Sequence, residues 1–125
     1  MTNNKHSKTK RKRGIKLQLR RIAYNASESY LVIQLTNTSG ITFEIDFLKV
    51  YRVSGNKKRK SSFQKLEIKP IYTCHMPSKI YNSQSVRLVY VLPKFVLGSK
   101  EKLQLELQEL NGSRKIVLKT SMNKK

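Results

Sequence analysis

The chain contains one cysteine, two alanines, no tryptophan and only seven acidic residues. Because a lone Cys74 cannot form an internal disulfide, the fold must depend on its apolar core. Neither the alanine content nor any long window with a three-to-four-residue apolar repeat favours helices. No apolar run approaches the roughly 20 residues that span a bilayer. A disulfide-rich, helical or membrane-spanning class is therefore not predicted.

Positive charge, by contrast, is abundant. The 27 Lys and Arg residues against seven Asp and Glu give a formal net charge of +20. Residues 1–13 hold only six of these bases, and every acidic residue lies beyond them, so the rest of the chain is cationic as well. We expect attraction to polyanions, namely nucleic acid, an anionic membrane surface or an acidic protein face.

The length of 125 residues predicts a single domain. Residues 1–13 have no apolar side chain after Met1, which predicts a disordered basic tail or linker. Residues 122–125 are predicted to be a disordered basic end. Residues 14–121 are predicted to form one β-sandwich domain. The basic N-terminus has no apolar stretch behind it, so the chain is not predicted to carry its own signal peptide.

Period-two alternation predicts about seven strands in an antiparallel β-sandwich, immunoglobulin-like or related. Ile15, Leu17 and Leu19 alternate with polar residues, as in a half-buried strand. Residues 30–35 are apolar on both faces, which predicts a central strand covered on each side. The alternation changes phase near residues 47–48, which predicts either a β-bulge there or a strand that crosses between the sheets. Residues 111–112, Asn-Gly, give the strongest hairpin signal.

No pattern in the chain predicts catalysis, a metal site or a cofactor. Residues 74–76, Cys-His-Met, are soft metal ligands, but neighbouring residues of an extended segment point to opposite faces. Glu106 and Glu109 could suggest acid–base chemistry, as could Glu44 and Asp46. Among so many lysines, cross-strand charge pairing on a solvated face is the favoured role. The chain is predicted not to be an enzyme.

Several segments share their order with a known family. They read Y-L-V-I-Q-L-T-N-T-S at 30–39, F-E-I-D-F-L at 43–48, N-K-K-R-K at 56–60, E-I-K-P-I-Y at 67–72, V-L-P-K-F at 91–95 and L-E-L-Q-E-L-N-G-S-R at 105–114. Together they resemble the C-terminal domain of the conjugative transposon TraN family of Bacteroides-type bacteria. The resemblance implies a structural module of a type IV secretion-like conjugation channel, periplasmic or outer-membrane-associated. Because no signal peptide is predicted, the cytoplasm stays open as an alternative.

Two sets of residues are candidates for interaction. The loop cations Lys57, Lys58, Arg59 and Lys60 are predicted to lie at a hairpin tip and to steer an acidic partner or bind an anion. Asn111, Gly112 and Arg114 are the residues most characteristic of the resemblance. The ordinary interpretation of these three is a hairpin turn with one solvated arginine. The predicted partners are other subunits of the conjugation complex, with no small-molecule substrate.

The alternative hypothesis is a basic β domain that binds nucleic acid non-specifically. A third possibility is that the charge attaches the domain to an anionic membrane surface. Single-strand binders place exposed aromatics among basic side chains, where bases stack on them. The feature that would favour this alternative is therefore a basic groove containing exposed tyrosines. The candidates for that role are Tyr24, Tyr51, Tyr72 and Tyr81.

Overall fold

A computed structural model describes residues 2–55 and 63–121, with side chains from Ser7 onward. These residues form ten strands and no helix. The strands are β1 (Thr2–Lys12), β2 (Ile15–Asn25), β3 (Glu28–Asn37), β4 (Phe43–Ser54), β5 (Gln64–Glu67), β6 (Tyr72–Cys74), β7 (Lys79–Ile80), β8 (Gln84–Pro93), β9 (Glu101–Glu109) and β10 (Lys115–Ser121). The described residues therefore contain no helix that could cross a membrane.

The strands form two antiparallel sheets that share one core. Sheet 1 has the order β1-β2-β3-β8-β6 and sheet 2 the order β10-β9-β4-β5, with β7 paired to the start of β4. Inward side chains of both sheets make a continuous buried cluster that includes Leu17, Ile33, Leu88, Val50 and Leu105. The prediction of an all-β antiparallel fold is confirmed.

Side-chain alternation was a sound guide within the long strands. Ile15, Leu17 and Leu19 are all buried, as predicted. A register shift between Leu19 and Arg21 then changes the phase of β2, and Ile22 becomes the next buried residue. The strand stays paired because a bulge adds one residue without ending the ladder.

The predicted bulge in the fourth strand is also present. Its register against β9 shifts between Ile45 and Phe47, one residue before the expected place. Phe43 is buried before the shift, whereas Leu48 and Val50 are buried after it. The bulge therefore lets both halves of a long strand face the same core.

β3 is central in sheet 1, as predicted, but it is covered fully on one face only. Its residues alternate strictly between buried and half-buried positions, and Tyr30, Val32 and Gln34 occupy the half-buried row. A protein of two sheets leaves the outer face of each sheet to solvent, apart from what neighbouring side chains cover. The prediction of complete cover on both faces was wrong.

The structure also corrects the disordered tail predicted for residues 1–13. Residues 2–12 form β1, which pairs with β2 in nine register positions around a bulge between Lys5 and Lys8. Residues 2–12 have no apolar side chain to bury, but β1 is held by its backbone ladder on the edge of β2. Arg13 and Gly14 make the connecting turn, with φ values of 52° and 83°.

Candidate interaction surface

The predicted hairpin at Asn111 and Gly112 joins β9 to β10. Its backbone closes with the amide of Glu109 donating to the carbonyl of Arg114 at 2.9 Å. Asn111 has a φ of 55°, a left-handed conformation that asparagine tolerates better than most residues. Gly112 is required for space, because a Cβ there would collide with the Glu109 carboxylate.

That carboxylate lies inside the hairpin and holds Arg114. Arg114 Nη2 donates to Glu109 Oε2 at 2.8 Å and Nε donates to Oε1 at 3.0 Å, a bidentate ion pair. The hydrogen bonds from Arg114, aided by its charge and opposed by burial, lower the pKa of Glu109. The pair is therefore ionised at neutral pH and organises the loop around it.

Arg114 also reaches across to the β3–β4 connection. Its guanidinium donates to Ser39 Oγ at 2.9 Å and to the carbonyl of Thr42 at 3.2 Å, and it lies 5.0 Å from the centre of the Phe43 ring. Arg114 is 5% exposed, so the expectation of a solvated arginine was wrong. The residue ties two loops at one end of the molecule, and this role explains it without a partner.

Lys57, Lys58, Arg59 and Lys60 lie outside the described residues. The strands on either side of them, β4 and β5, pair with each other, with Ser54 opposite Gln64. The steering role assigned to these four cations stays a prediction.

A second cationic region lies in the β1–β2 hairpin, which we call the basic arm. It contains Lys8, Lys10, Arg11, Lys12, Arg13, Lys16, Arg20 and Arg21. No acidic residue precedes Glu28 in the chain. Among the described residues, none of these eight side chains forms an ion pair, in contrast to Arg52, Lys65, Arg114 and Lys115. Because residues 1–13 were predicted to be a disordered tail, the basic arm was not predicted. The run of basic residues with no acid before Glu28 could have indicated it.

The register divides the arm's cations between two faces. Lys8 pairs with Leu19 and Lys10 with Leu17, so both lie on the core side of sheet 1. There they line a groove of about 290 Å³ with Val117, Leu118 and Lys119 of β10.

A larger groove of about 440 Å³ surrounds the β1–β2 turn. Its lining includes the cations Arg11, Lys12, Arg13 and Lys16. No aromatic side chain lines either groove.

The four tyrosines that could have favoured base stacking are scattered. Tyr24 packs on the core beside Phe95, and Tyr51 lies under Lys65, whose Nζ is 4.4 Å from the ring centre. Tyr72 and Tyr81 are exposed, but Tyr72 is on β6, at the opposite edge of sheet 1 from the arm. The criterion of exposed tyrosines within one basic groove is not met.

Large apolar side chains are exposed on the side where the chain crosses from β5 to β6. The exposed fractions are 56% for Leu66, 52% for Ile71, 50% for Tyr72 and 76% for Val96. We call the surface that these four residues form the apolar side. The crossing is anchored at both sheets, because the amide of Ile68 donates to Val50 O and that of Ile71 donates to Val91 O. Leu66 pairs with Arg52, whose guanidinium also contacts the carbonyl of Val96 at 3.4 Å.

The outer face of sheet 2 has its own charge network, centred on Glu106. Lys65 Nζ is 2.6 Å from Glu106 Oε2, and Lys115 Nζ is 3.5 Å from Oε1. Burial acts to raise the pKa of Glu106, but Lys65, Gln104 and Lys115 outweigh it, so the pKa lies below its ordinary value. Charge pairing was predicted here, but Glu106 is 3% exposed, so the face is not solvated at this point. Glu44 and Asp46, predicted to pair in the same way, form no ion pair within the described residues.

The soft ligands of residues 74–76 do not converge. Met76 packs against the core, and its Sδ accepts a hydrogen bond from the Tyr90 hydroxyl at 3.7 Å. His75 has a φ of 61°. In the part of the chain that the structure describes, no three His, Cys, Asp or Glu side chains group as metal ligands do.

Comparison with known families gives one match, and it covers the whole described fold. The model of a family described as a domain of unknown function (DUF4138) matches residues 2–124. The chain belongs to this family. The match includes β1, so the DUF4138 domain contains the basic arm together with the two sheets. No curated protein and no solved structure matches the chain.

Proposed function

We propose that this DUF4138 domain is a non-catalytic structural and protein-interaction module of a bacterial conjugative transfer apparatus, built as an immunoglobulin-like β-sandwich. The order of segments shared with the conjugative transposon TraN family supports the assignment to conjugation. A location in the periplasm or at the outer membrane belongs to the same proposal.

The apolar side is the observation that carries the interaction role. Ile71 and Tyr72 belong to the shared segment at residues 67–72, yet about half of each side chain is open to solvent. Core packing therefore does not account for them. Exposed apolar groups of this size are typical of protein–protein contacts, and here they flank two short edge strands, β5 and β6.

Docking through this side would bury side chains that already have a fixed backbone. Two main-chain hydrogen bonds hold the crossing segment, so little conformational entropy would be lost on binding. A few anchors carry most of the binding energy of such a contact, at about 2 kcal/mol or more each, and tyrosines are enriched among them, which makes Tyr72 the expected anchor here. The partner we assign is another subunit of the conjugation complex.

A matched pair of triple variants tests the proposal. Leu66→Ser, Ile71→Ser and Tyr72→Ser remove the apolar side, whereas Ile41→Ser, Leu110→Ser and Tyr81→Ser remove the same three residue types from exposed positions elsewhere. The tagged domain is used to capture envelope proteins from conjugation-competent cells after nuclease treatment, and DNA transfer frequency is measured in parallel. We expect the first triple to lose defined envelope partners and transfer, and the control to keep both.

Equal behaviour of the two triples would refute docking through the apolar side. Loss of all captured protein on nuclease treatment alone would refute the interaction module and favour the nucleic-acid alternative. Replacing Lys57, Lys58, Arg59 and Lys60 with serine should slow assembly and lower its salt sensitivity if that loop steers an acidic partner. An assembly rate unchanged by those replacements would remove the steering role and leave the module itself in place.

A further inference from the structure

The basic arm lies at the opposite edge of sheet 1 from the apolar side, and no contact within the described protein explains its charge. None of its eight cations forms a salt bridge in the described residues, and only Arg13 is close enough to a carboxylate, that of Glu109, to lower its pKa. Six of the seven acidic residues lie in strands of the other sheet, and three of those form ion pairs. Holding β1 against β2 brings these like charges together, which opposes folding. A charge arrangement that weakens the isolated domain indicates a ligand of opposite sign.

We propose that the basic arm is a binding site for the phosphodiester backbone of duplex nucleic acid. The arm presents cations on both sides of β1, and residues two apart on a strand recur about every 7 Å. For each of its strands a duplex carries one phosphate in about every 3.4 Å of helix axis, so phosphates recur more closely than the cations of such a row and each cation has one within reach. A folded acidic protein face does not offer such a regular density of charge.

The groove around the β1–β2 turn has the chemistry of a backbone site. Arg11 and Arg13 supply planar guanidinium groups, which suit phosphate oxygens, and Arg13 is already held by a hydrogen bond from Nη1 to Ser113 Oγ at 3.3 Å. Thr36 and Thr38 complete this part of the lining, with their hydroxyls bonded to Ser85 Oγ and to the carbonyl of Gly14. Because no aromatic side chain lines the groove, bases have nothing to stack on. Binding is therefore to phosphates, without sequence preference, and duplex is favoured over single strands.

The test measures the salt dependence of binding to a labelled random-sequence duplex by fluorescence anisotropy. The arm variant combines Arg11→Ser, Lys12→Ser, Arg13→Ser and Lys16→Ser. Its control combines Lys69→Ser, Lys79→Ser, Lys94→Ser and Lys100→Ser, which removes the same charge from exposed positions outside the arm. Both variants should unfold near the wild-type temperature, because none of the eight side chains is buried and the arm variant loses one exposed hydrogen bond, from Arg13 to Ser113, while also losing repulsion between like charges.

Each lost phosphate contact lowers the slope of log K against log salt by about 0.9, so we expect the arm variant to lose about 3 to 4 from the slope. We expect its affinity at about 50 mM salt to fall about 100-fold or more, and that of the control only a few-fold. Arg11→Lys with Arg13→Lys keeps the charge and should keep most of the slope. If the arm variant fails to fold, Arg11→Ser with Lys16→Ser tests the outer face alone and should lose about 2 from the slope.

Three outcomes would overturn the proposal. Equal losses in the arm variant and its control would mean that net charge, and not the arm, binds the duplex. Tighter binding of a polyglutamate peptide than of duplex, abolished in the arm variant, would assign the arm to an acidic protein. Tighter binding of vesicles containing anionic lipid, abolished in the same way, would assign it to a membrane surface.

Discussion

Arg114→Ala tests whether the buried ion pair in the β9–β10 hairpin stabilises the fold. The substitution leaves Glu109 without its partner and removes the hydrogen bonds to Ser39 Oγ and Thr42 O. Removing one member of a buried pair typically costs about 3–5 kcal/mol. The Glu109 side chain is 14% exposed and can regain some water, which places the expected loss near the lower limit, at about 3 kcal/mol.

Urea unfolding followed by far-UV circular dichroism measures the loss, and Arg87→Ala is the control. Arg87 is exposed and donates one hydrogen bond, to Gln34, so its replacement should cost under about 0.5 kcal/mol. In a Glu109→Gln background Arg114→Ala should cost at least about 1 kcal/mol less than in the wild type. A loss below about 1 kcal/mol for Arg114→Ala alone would refute the role given to the pair.

The same pair predicts a dependence of stability on pH. Arg114 lowers the pKa of Glu109 in the folded state, from an ordinary value of 4.5. The ionised carboxylate therefore stabilises the fold fully above pH 4.5, and this contribution is lost as the pH falls through the lowered folded pKa. Unfolding measured from neutral pH down to about pH 3 should show this loss in the wild type and a smaller loss in Arg114→Ala. Parallel curves would contradict the reasoning.

Four further predictions concern the turns and the core. Gly112→Ala should cost about 1–3 kcal/mol in urea unfolding, because its Cβ collides with the Glu109 carboxylate, and should cost clearly less in a Glu109→Ala background. Gly14→Ala should cost about 2 kcal/mol, since Gly14 has a φ of 83° and its Cβ would collide with Ser39, and should speed hydrogen exchange in β1. Tyr90→Phe should cost about 1 kcal/mol by losing a 2.7 Å hydrogen bond to a backbone carbonyl. Burial raises the pKa of Tyr90 to about 12. The stability that the protonated Tyr90 hydroxyl gives the wild type should therefore fall between pH 10 and about 12, as measured by urea unfolding. Ultraviolet titration follows the ionisation itself.

Strands with a clear alternation could be predicted because successive side chains point to opposite faces, so an apolar residue at every second position indicates the buried face. Ile15, Leu17 and Leu19 needed only the period of two, and the bulge in β4 needed only its change of phase. The hairpin at Asn111 followed from turn chemistry alone. In these places local sequence and tertiary burial agree, so no knowledge of the partner strand was necessary.

Where the argument from sequence failed, the cause was a contact between distant segments. Residues 2–12 offer nothing apolar to bury, and only the unpaired edge of β2 makes them a strand. Arg114 looks like any turn arginine until Ser39 and Thr42, more than 70 positions earlier, arrive beside it. The basic arm was missed for the same reason, because residues predicted to form a disordered tail are not expected to share a face or line a groove.

An all-β chain with a single core can be predicted from the sequence alone, since period-two burial and turn residues act over a few positions. The excess of positive charge is equally plain there. Which cations are paired depends on the tertiary structure, because Lys65 and Lys115 reach Glu106 through strand pairings that bring distant residues together. The same pairings leave the basic arm without a salt bridge in the described residues and leave the large side chains of the apolar side exposed to solvent.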